Sequence, residues 1–455
     1  MKRFLTDLGI PLHAPPPART PLPAVRPSAC PGLLRIVQAL DGGICRIKLP
    51  GGVLSAEQAE AVALAAQRHA GGVIEVTNRA NLQIRGVRGD SAPLIEALLG
   101  AGLGPRDTGA DDVRNLMLSP AAGIDCQQLL DVRPLAAMIL ASLEHEPRYH
   151  QLSAKFAIQL DGGEALAMLE HHHDVWLSPV QLDGTPWMAF GLAGCPGLDA
   201  PEGAVPLEQA HALVLAVLDS FLRQATDLQH RLRDLFQGNA AQARRDFVNS
   251  LGLAVRGLTW HRAAAPQSPV GVHPQPQPGR CQVAALAPLG RLTPAQLQGA
   301  AAVARAMGGG SLRMTPWQGL LLDDVAVVHG QAALAELAAL GLLTTPQQPL
   351  TQLIACTGSA GCAKGLADTK ADAVQLAALL HAPGAPGTLH LSGCRRSCAA
   401  AHVAPVTLLA VAPGYYDFYL RDAVRSGFGR LHASHISVQE AGALLNARLR
   451  SNTDD

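Results

Sequence analysis

Four cysteines stand in two close pairs: Cys356 and Cys362 in IACTGSAGCAKG, and Cys394 and Cys398 in HLSGCRRSCAA. Five residues separate the first pair and three the second. Both pairs sit among Gly and Ser, which let the backbone approach closely and turn its N–H groups toward sulfur. Four converging thiolates fit a [4Fe–4S] cube or a tetrahedral zinc ion. Structural zinc usually leaves about two to four residues between paired ligands, so the wider first gap and the apolar setting favour the cluster. Ordinary buried thiols are the third reading. The other cysteines, Cys30, Cys45, Cys126, Cys195 and Cys281, stand alone. Isolated thiols are expected to fill core space as small hydrophobes.

Composition bounds what such a centre can serve. The 36 basic and 36 acidic residues cancel, so no global field draws in nucleic acid or a membrane surface. Aromatic residues make up 4% of the chain, which argues against a base-stacking surface. No apolar run reaches the roughly 18 residues of a membrane span. The start, MKRFLTDLGIPLHAPPP, lacks the apolar core of a secretion signal. Reduced thiols plus a cofactor site, in the cytoplasm, are the expectation.

The elements that must position the cysteines come in two copies. Residues 11–27 hold seven prolines, and an extended or disordered arm is expected over 1–29. LLRIVQAL, the turn Asp41-Gly42-Gly43 and ICRIKL then read as a hairpin. Ser55 with Gln58 forms a capping box for the helix SAEQAEAVALAAQRHA, which ends at Gly71-Gly72. VIEVTNR and NLQIRGV read as strands. The same grammar returns at 280–325, with Cys281 for Cys45, Thr293 for Ser55, Gly310 for Gly72 and Thr315 for Thr77, at an offset of about 237 residues. This is a tandem duplication. Each small α/β module precedes a mixed segment. VRNLMLSPAAGID, a helix through Leu135–Glu146 and strand-like QLSAKFAIQLDGG follow the first; the cysteine segment and VAPVTLLAVAP follow the second. Residues 204–251 read as helical, and 273–279 as a loop.

These motifs, in this order, resemble the sirohaem-dependent sulfite and nitrite reductase superfamily. The resemblance rests on VTNRANLQIRG, VRNLMLSPAAGID and LSAKFAIQLDGG in the first half, and on GVHPQPQPG, GRLTPAQL, LRMTPWQGLLL and the two cysteine pairs in the second. It implies an α/β (α+β) fold in which two ferredoxin-like half-modules, 30–105 and 236–335, pair into one domain. Two larger α/β domains, 106–235 and 336–455, would flank a tetrapyrrole cleft beside the cluster. The opening ACPGLLRIVQALDGGICRIKLPGG is most similar to the precorrin-3B synthase branch. That branch implies a [4Fe–4S] cluster and a mononuclear non-haem iron, with precorrin-3A and O2 as substrates and NADH or NADPH feeding electrons through a separate reductase.

Carried over residue by residue, Cys356, Cys362, Cys394 and Cys398 are cluster ligands, the last being the one that bridges to haem iron in the reductases. Arg79, Arg114 and Lys155 fall on the family's anion-binding positions. Two further basic positions of the reductases are Ala154 and Ala157 here. The cations that remain suit a substrate with many carboxylates, which Arg grips bidentately. Gln83 and Arg85 share a strand face with Arg79 by period two. Arg395 and Arg396 are either partners of the reduced cluster or a solvated pair. For the mononuclear iron, two His and a carboxylate with open positions are the common set. The run His171-His172-His173-Asp174 offers His172 and Asp174 on one strand face, with His402 and His273 as further candidates. Trp317 stands where the repeat places Arg79, as expected for a second half that has lost anion binding.

The expected activity is a monooxygenase converting precorrin-3A to precorrin-3B, by oxygenation of a meso carbon and closure of a lactone. No GxGxxG on a strand–helix turn is present, so the nucleotide is not expected to bind by a Rossmann fold. The alternatives are an assimilatory sulfite or nitrite reductase carrying sirohaem, against which the basic residues missing near Lys155 discriminate, and a non-catalytic iron–sulfur electron carrier, which failure to bind any tetrapyrrole would support.

Overall fold

A computed structural model of the chain describes residues 30–264, 268–381, 387–422, 425 and 427–451, and the arm expected over 1–29 lies outside them. Twenty strands form four five-stranded sheets among these residues. Two sheets belong to the small modules. In the first, the strands Val37–Ala39, Gly42–Ile47, Leu82–Val87 and Val73–Val76 lie side by side in antiparallel pairs. In the second, Gly271–Pro274, Arg280–Leu286, Gly319–Ala326 and Ser311–Met314 repeat that order.

Each sheet is completed by a strand from the other module. Arg291–Leu292 pairs with Val73–Val76, and Val53–Ser55 pairs with Ser311–Met314. Neither half can pair its edge alone, so this exchange welds the modules. The helices Ala56–His69 and Pro294–Met307 pack on each other above the joint core. Burying each Leu, Ile or Val of that core contributes about 1.5–3 kcal/mol.

The repeat is visible in single hydrogen bonds. Ser55 and Thr293 each accept from the N–H three residues on, at 3.2 Å, and Gln58 and Gln296 reach back to the cap. Gln58 also donates to Ala101 O and Gln296 to Leu340 O, tying each helix to the next. The turns 77–81 and 315–319 are built alike: Thr77 N–H donates to Asn81 O (2.8 Å) and Thr315 N–H to Gly319 O (2.9 Å). Ala80 (φ 57°) and Gln318 (φ 62°) hold the matching left-handed positions. Arg79 and Trp317 are therefore true counterparts.

The two larger domains also share one topology. In each, two parallel strand pairings are followed by two antiparallel ones: Leu116–Leu118, Ile158–Leu160, His173–Leu182, Thr185–Gly194 and Gly203–Pro206 in the first; Leu353–Ala355, Leu389–Ser392, Val406–Ala412, Tyr415–Leu420 and Arg430–Ser437 in the second. Phe247 and Leu251 pack with Leu213, Val217 and Phe221 in the first domain's core. The boundary expected at 235 is thus displaced, because the helix Ala240–Asn249 buries its apolar face there. The stretch 204–251 is not helical throughout: it opens with the strand Gly203–Pro206 before the helix Ala210–Gln224. Among the described residues no helix is long and apolar enough to cross a membrane.

Candidate functional site

The cysteine pairs emerge at one end of two adjacent parallel strands. Ala355 pairs with Leu391 in register, and the chain then turns into loops carrying Cys356 and Cys394. The carboxyl ends of neighbouring parallel strands are where α/β sheets open a crevice. Gly393 N–H donates to Cys356 Sγ at 3.2 Å, and Thr369 Oγ1 lies 3.5 Å from the same sulfur. Glycines make the cradle. A Cβ on Gly393 would stand 3.3 Å from the Cα atoms of Gly358 and Gly365 and 3.4 Å from Cys356 Sγ. At Gly358 (φ +66°) a Cβ would meet Ala367 O at 2.5 Å. Desolvation pushes the Cys398 thiol up, and the nearby Cys394, Cys356 and Cys362 add to it. A backbone donor aimed at one sulfur and a cradle of close-packed glycine suit an iron–sulfur cluster.

A buried charge network holds the first of these loops against the small modules. Glu75 meets Arg291 (3.1 Å), Arg85 (3.6 Å), Lys370 (3.9 Å) and Thr357 Oγ1 (3.2 Å). The three cations outweigh burial and keep its carboxyl below the usual range. Burial pushes Lys370 down to about 8, opposed by Glu75. Arg85 donates to Asp41 through two bonds of 2.8 Å and to Gly361 O at 3.3 Å. Its guanidinium is committed to Asp41, Glu75 and the Gly361 carbonyl, contrary to the expectation that it joins Arg79 on one strand face.

The other expected cations separate. Arg79 sits in the turn 77–81 beside the cluster loop, where Asn78 Nδ2 donates to Cys398 O at 3.4 Å. Burial pushes Arg79 down to about 10, with Arg231 and Arg46 opposing its charge and Asp174 supporting it. Gln83 accepts from Arg46 at 3.4 Å, its partner in strand register. Arg114 is tied to Glu144 at 2.6 Å. Lys155 is exposed on the turn before Ile158–Leu160, and Arg395 and Arg396 are exposed. Arg46 and Arg231 are the cations near Arg79 that motif reading missed. Arg46 had a signal, since the residue opposite Gln83 in a hairpin shares its face; Arg231 had none.

The histidine run is divided by the strand. His171, His173 and Asp174 are buried and His172 is exposed. Asp174 accepts from Arg231 Nε (2.8 and 3.0 Å) and from the N–H groups of Ala157 (2.9 Å) and Leu232 (2.8 Å). Its oxygens are spent, which removes it as an iron ligand beside His172. His172 instead meets Cys195 and Asp199, all three ligand atoms lying within 4.8 Å of one another. Desolvation, then Asp199, pushes the Cys195 thiol up to about 12. His171 Nε2 is 3.1 Å from His402 Nδ1, and burial lowers both imidazoles, favouring the neutral form. His273 lies on the edge strand Gly271–Pro274 of the second small sheet. Of the isolated cysteines, Cys45, Cys195 and Cys281 are buried as expected; Cys126 is exposed, and Cys30 is half-buried among Arg46, Arg79 and Arg35.

A cavity of about 340 Å³ opens beside this group. Asn78, Glu170, His171, Trp317, Ala399 and His402 line it, so it touches the Cys398 loop on one side and the histidine run on the other.

Comparison with known proteins gives a consistent placement. The nitrite/sulfite reductase ferredoxin-like half domain matches residues 37–102 and again 273–340. The nitrite and sulphite reductase 4Fe-4S domain matches residues 109–241. That second stretch holds Cys126 and Cys195 and not the cysteine pairs, so the ligand assignment rests on the loops described above. A chloroplastic ferredoxin–nitrite reductase from Zea mays is 32% identical over 79% of this chain and 68% of its own. A precorrin-3B synthase from a Sinorhizobium species is 26% identical over 95% of this chain and 90% of its own. The structure of the Mycobacterium tuberculosis NirA protein superposes with a TM-score of 0.73 at 22% identity, covering 90% of this chain and 80% of that one, which shows a shared fold.

Proposed function

The chain belongs to the nitrite and sulphite reductase family, and on that footing we propose that it is an oxygen-dependent tetrapyrrole oxygenase of the precorrin-3B synthase kind. One observation carries the reading. Where the family's reductases place two further basic residues around Lys155, this chain has Ala154 and Ala157, and Ala157 is buried with its N–H on Asp174. A longer cationic side chain at that buried position would have to find new space. A small oxyanion needs several cations at one point. A macrocycle with many carboxylates is held by cations spread over its surroundings, a role that Arg46 and Arg79 would fill in this reading. The end-to-end match with the Sinorhizobium protein supports the same choice.

Cys356, Cys362, Cys394 and Cys398 would hold a [4Fe–4S] cluster, and a cluster supplies electrons one at a time. The Gly393 N–H at Cys356 Sγ stabilises thiolate charge there. Glu75, Arg85 and Lys370 fix the loop. Arg46 and Arg79 bind and orient substrate carboxylates, Arg231 holds Asp174 in place, and the cavity wall of Trp317 and Ala399 excludes water. One oxygen atom of O2 enters a meso carbon of precorrin-3A and the other leaves as water, using two electrons and two protons. The electrons come from NADH or NADPH through a separate reductase. An acetate carboxylate held beside that carbon closes the lactone, by effective concentration. The mononuclear non-haem iron implied by the precorrin-3B synthase branch belongs to the same reading.

Aerobic incubation with precorrin-3A, a reductase and 18O2 tests this, with incorporation of one labelled oxygen as the expected result. The second reading, a sirohaem nitrite reductase, is favoured by the higher identity of the Zea mays protein. It predicts ammonium from nitrite with reduced viologen and no reaction with precorrin-3A.

A further inference from the structure

The strands His173–Leu182 and Thr185–Gly194 form a hairpin in which His173 pairs with Gly194. One step beyond that pair, the register brings His172 opposite Cys195. The turn that follows is pressed back onto the incoming chain. Gly197 N–H donates to Leu169 O at 2.9 Å, and a Cβ at position 197 would stand 2.8 Å from that oxygen. Asp199 folds back as well: its N–H donates to Cys195 O (3.0 Å), and its Oδ2 accepts from Cys195 N–H (2.8 Å). Three independent constraints, a strand register, a glycine contact and a carboxylate-capped turn, thus gather an imidazole, a thiol and a carboxylate within 4.8 Å.

We propose that His172, Cys195 and Asp199 bind one divalent first-row transition metal ion. A nitrogen, a sulfur and an oxygen donor suit Fe2+, Co2+ or Zn2+ and not Mg2+ or Ca2+, which take oxygen. Ligand separations under 4.8 Å need little closure to meet metal bonds of about 2.0–2.3 Å. Three protein ligands leave coordination positions open, the arrangement of a reactive and not a structural ion. His172 is exposed and Cys195 buried, so the ion has an entry side and a dry side. The hydrogen bond from Cys195 N–H to Asp199 fixes that carboxylate, as outer-shell bonds do for metal ligands. Binding displaces the Cys195 proton to solvent, and the ion's oxidation state is unchanged.

The location gives the ion a use. His402, on the cavity wall, has Glu170 and His172 among its electrostatic neighbours. Leu169, whose carbonyl accepts from Gly197, lines the cavity with Glu170 and His171, so the site adjoins that wall. Resting on the oxygenase reading above, this ion is the iron required beyond the cluster.

The test uses the full-length protein with its cluster, freed of loosely held ions and titrated anaerobically with CoCl2. The result expected is one Co2+ per chain and a thiolate-to-cobalt charge-transfer band in the near ultraviolet. Cys195→Ser loses the band. His172→Gln, at an exposed position that leaves the fold intact, weakens Co2+ binding at least tenfold with unchanged labile sulfide. No thiolate band in the wild type, or the same band in Cys195→Ser, overturns the site. The functional reading is scored separately. A band that behaves as expected in a protein inert toward precorrin-3A keeps the site and removes the oxygenase. Full oxygenation by His172→Gln without its metal keeps the site and removes its role in the reaction.

Discussion

Asn78 donates its side-chain amide to the carbonyl of Cys398, 3.4 Å away and 320 residues along the chain. The turn that carries Arg79 is thereby fixed to the loop that carries the fourth cysteine. Asn78→Ala removes a bond worth about 0.5–1.5 kcal/mol. It is expected to weaken tetrapyrrole binding about three- to tenfold in a fluorescence titration, while labile sulfide per chain stays constant.

Gly393 is a test of the cradle. Alanine there must push against Gly358, Gly365 and Cys356, an overpacking cost of about 1–3 kcal/mol. Gly393→Ala should lose most of its iron and sulfide and melt several degrees lower than wild type. A fully loaded variant with the wild-type melting temperature would show that the glycines do not shape the site.

Arg79 and Arg85 lie six residues apart on one motif, yet the structure gives them different work. Arg79→Ala should raise the Kd for a carboxylated tetrapyrrole about ten- to a hundredfold, the worth of a charged hydrogen bond, and leave the cluster intact. Arg85→Ala removes the partner of Asp41 and Glu75 and the donor to Gly361 O. It should lower cluster content and thermal stability, with ligand affinity per loaded chain unchanged. Labile-sulfide counts beside a binding titration separate the two.

Glu164 gives the fold a pH dependence. Burial, then Asp161, pushes its carboxyl up to about 8. A carboxyl raised in the folded state keeps its full contribution below the ordinary carboxylate range and loses stability as pH rises through about 8. Denaturation midpoints should therefore fall from pH 5 to pH 8 in the wild type. Glu164→Gln should flatten that slope and be the more stable protein at pH 8. Parallel pH profiles of the two proteins would contradict the assignment.

Much of this was legible in the residues. The capping boxes Ser55–Gln58 and Thr293–Gln296, the paired Thr turns and the cysteine spacing are local signals, and local signals survive in one dimension. The strand exchange was not legible. Val53–Ser55 and Arg291–Leu292 are too short to show period-two patterning, and each pairs with a module more than 200 residues away. Asp174 failed for another reason. Alternation predicts a shared face for His172 and Asp174 only inside a strand, and the strand begins at His173. Arg231, 57 residues on, then claims the carboxylate. The proposed partners of His172 were hidden as well: Cys195 follows from the hairpin register and Asp199 from the turn after it, which requires knowing where the hairpin turns.

The central claim is that a tetrapyrrole enters this cleft as substrate and is not resident as a haem. An absorption spectrum of the anaerobically purified protein, with iron and acid-labile sulfide counted on the same sample, tests it most directly. The account predicts a broad iron–sulfur shoulder, no Soret band and one more iron than sulfide. A Soret band with long-wavelength chlorin bands would contradict it and make the protein a sirohaem reductase.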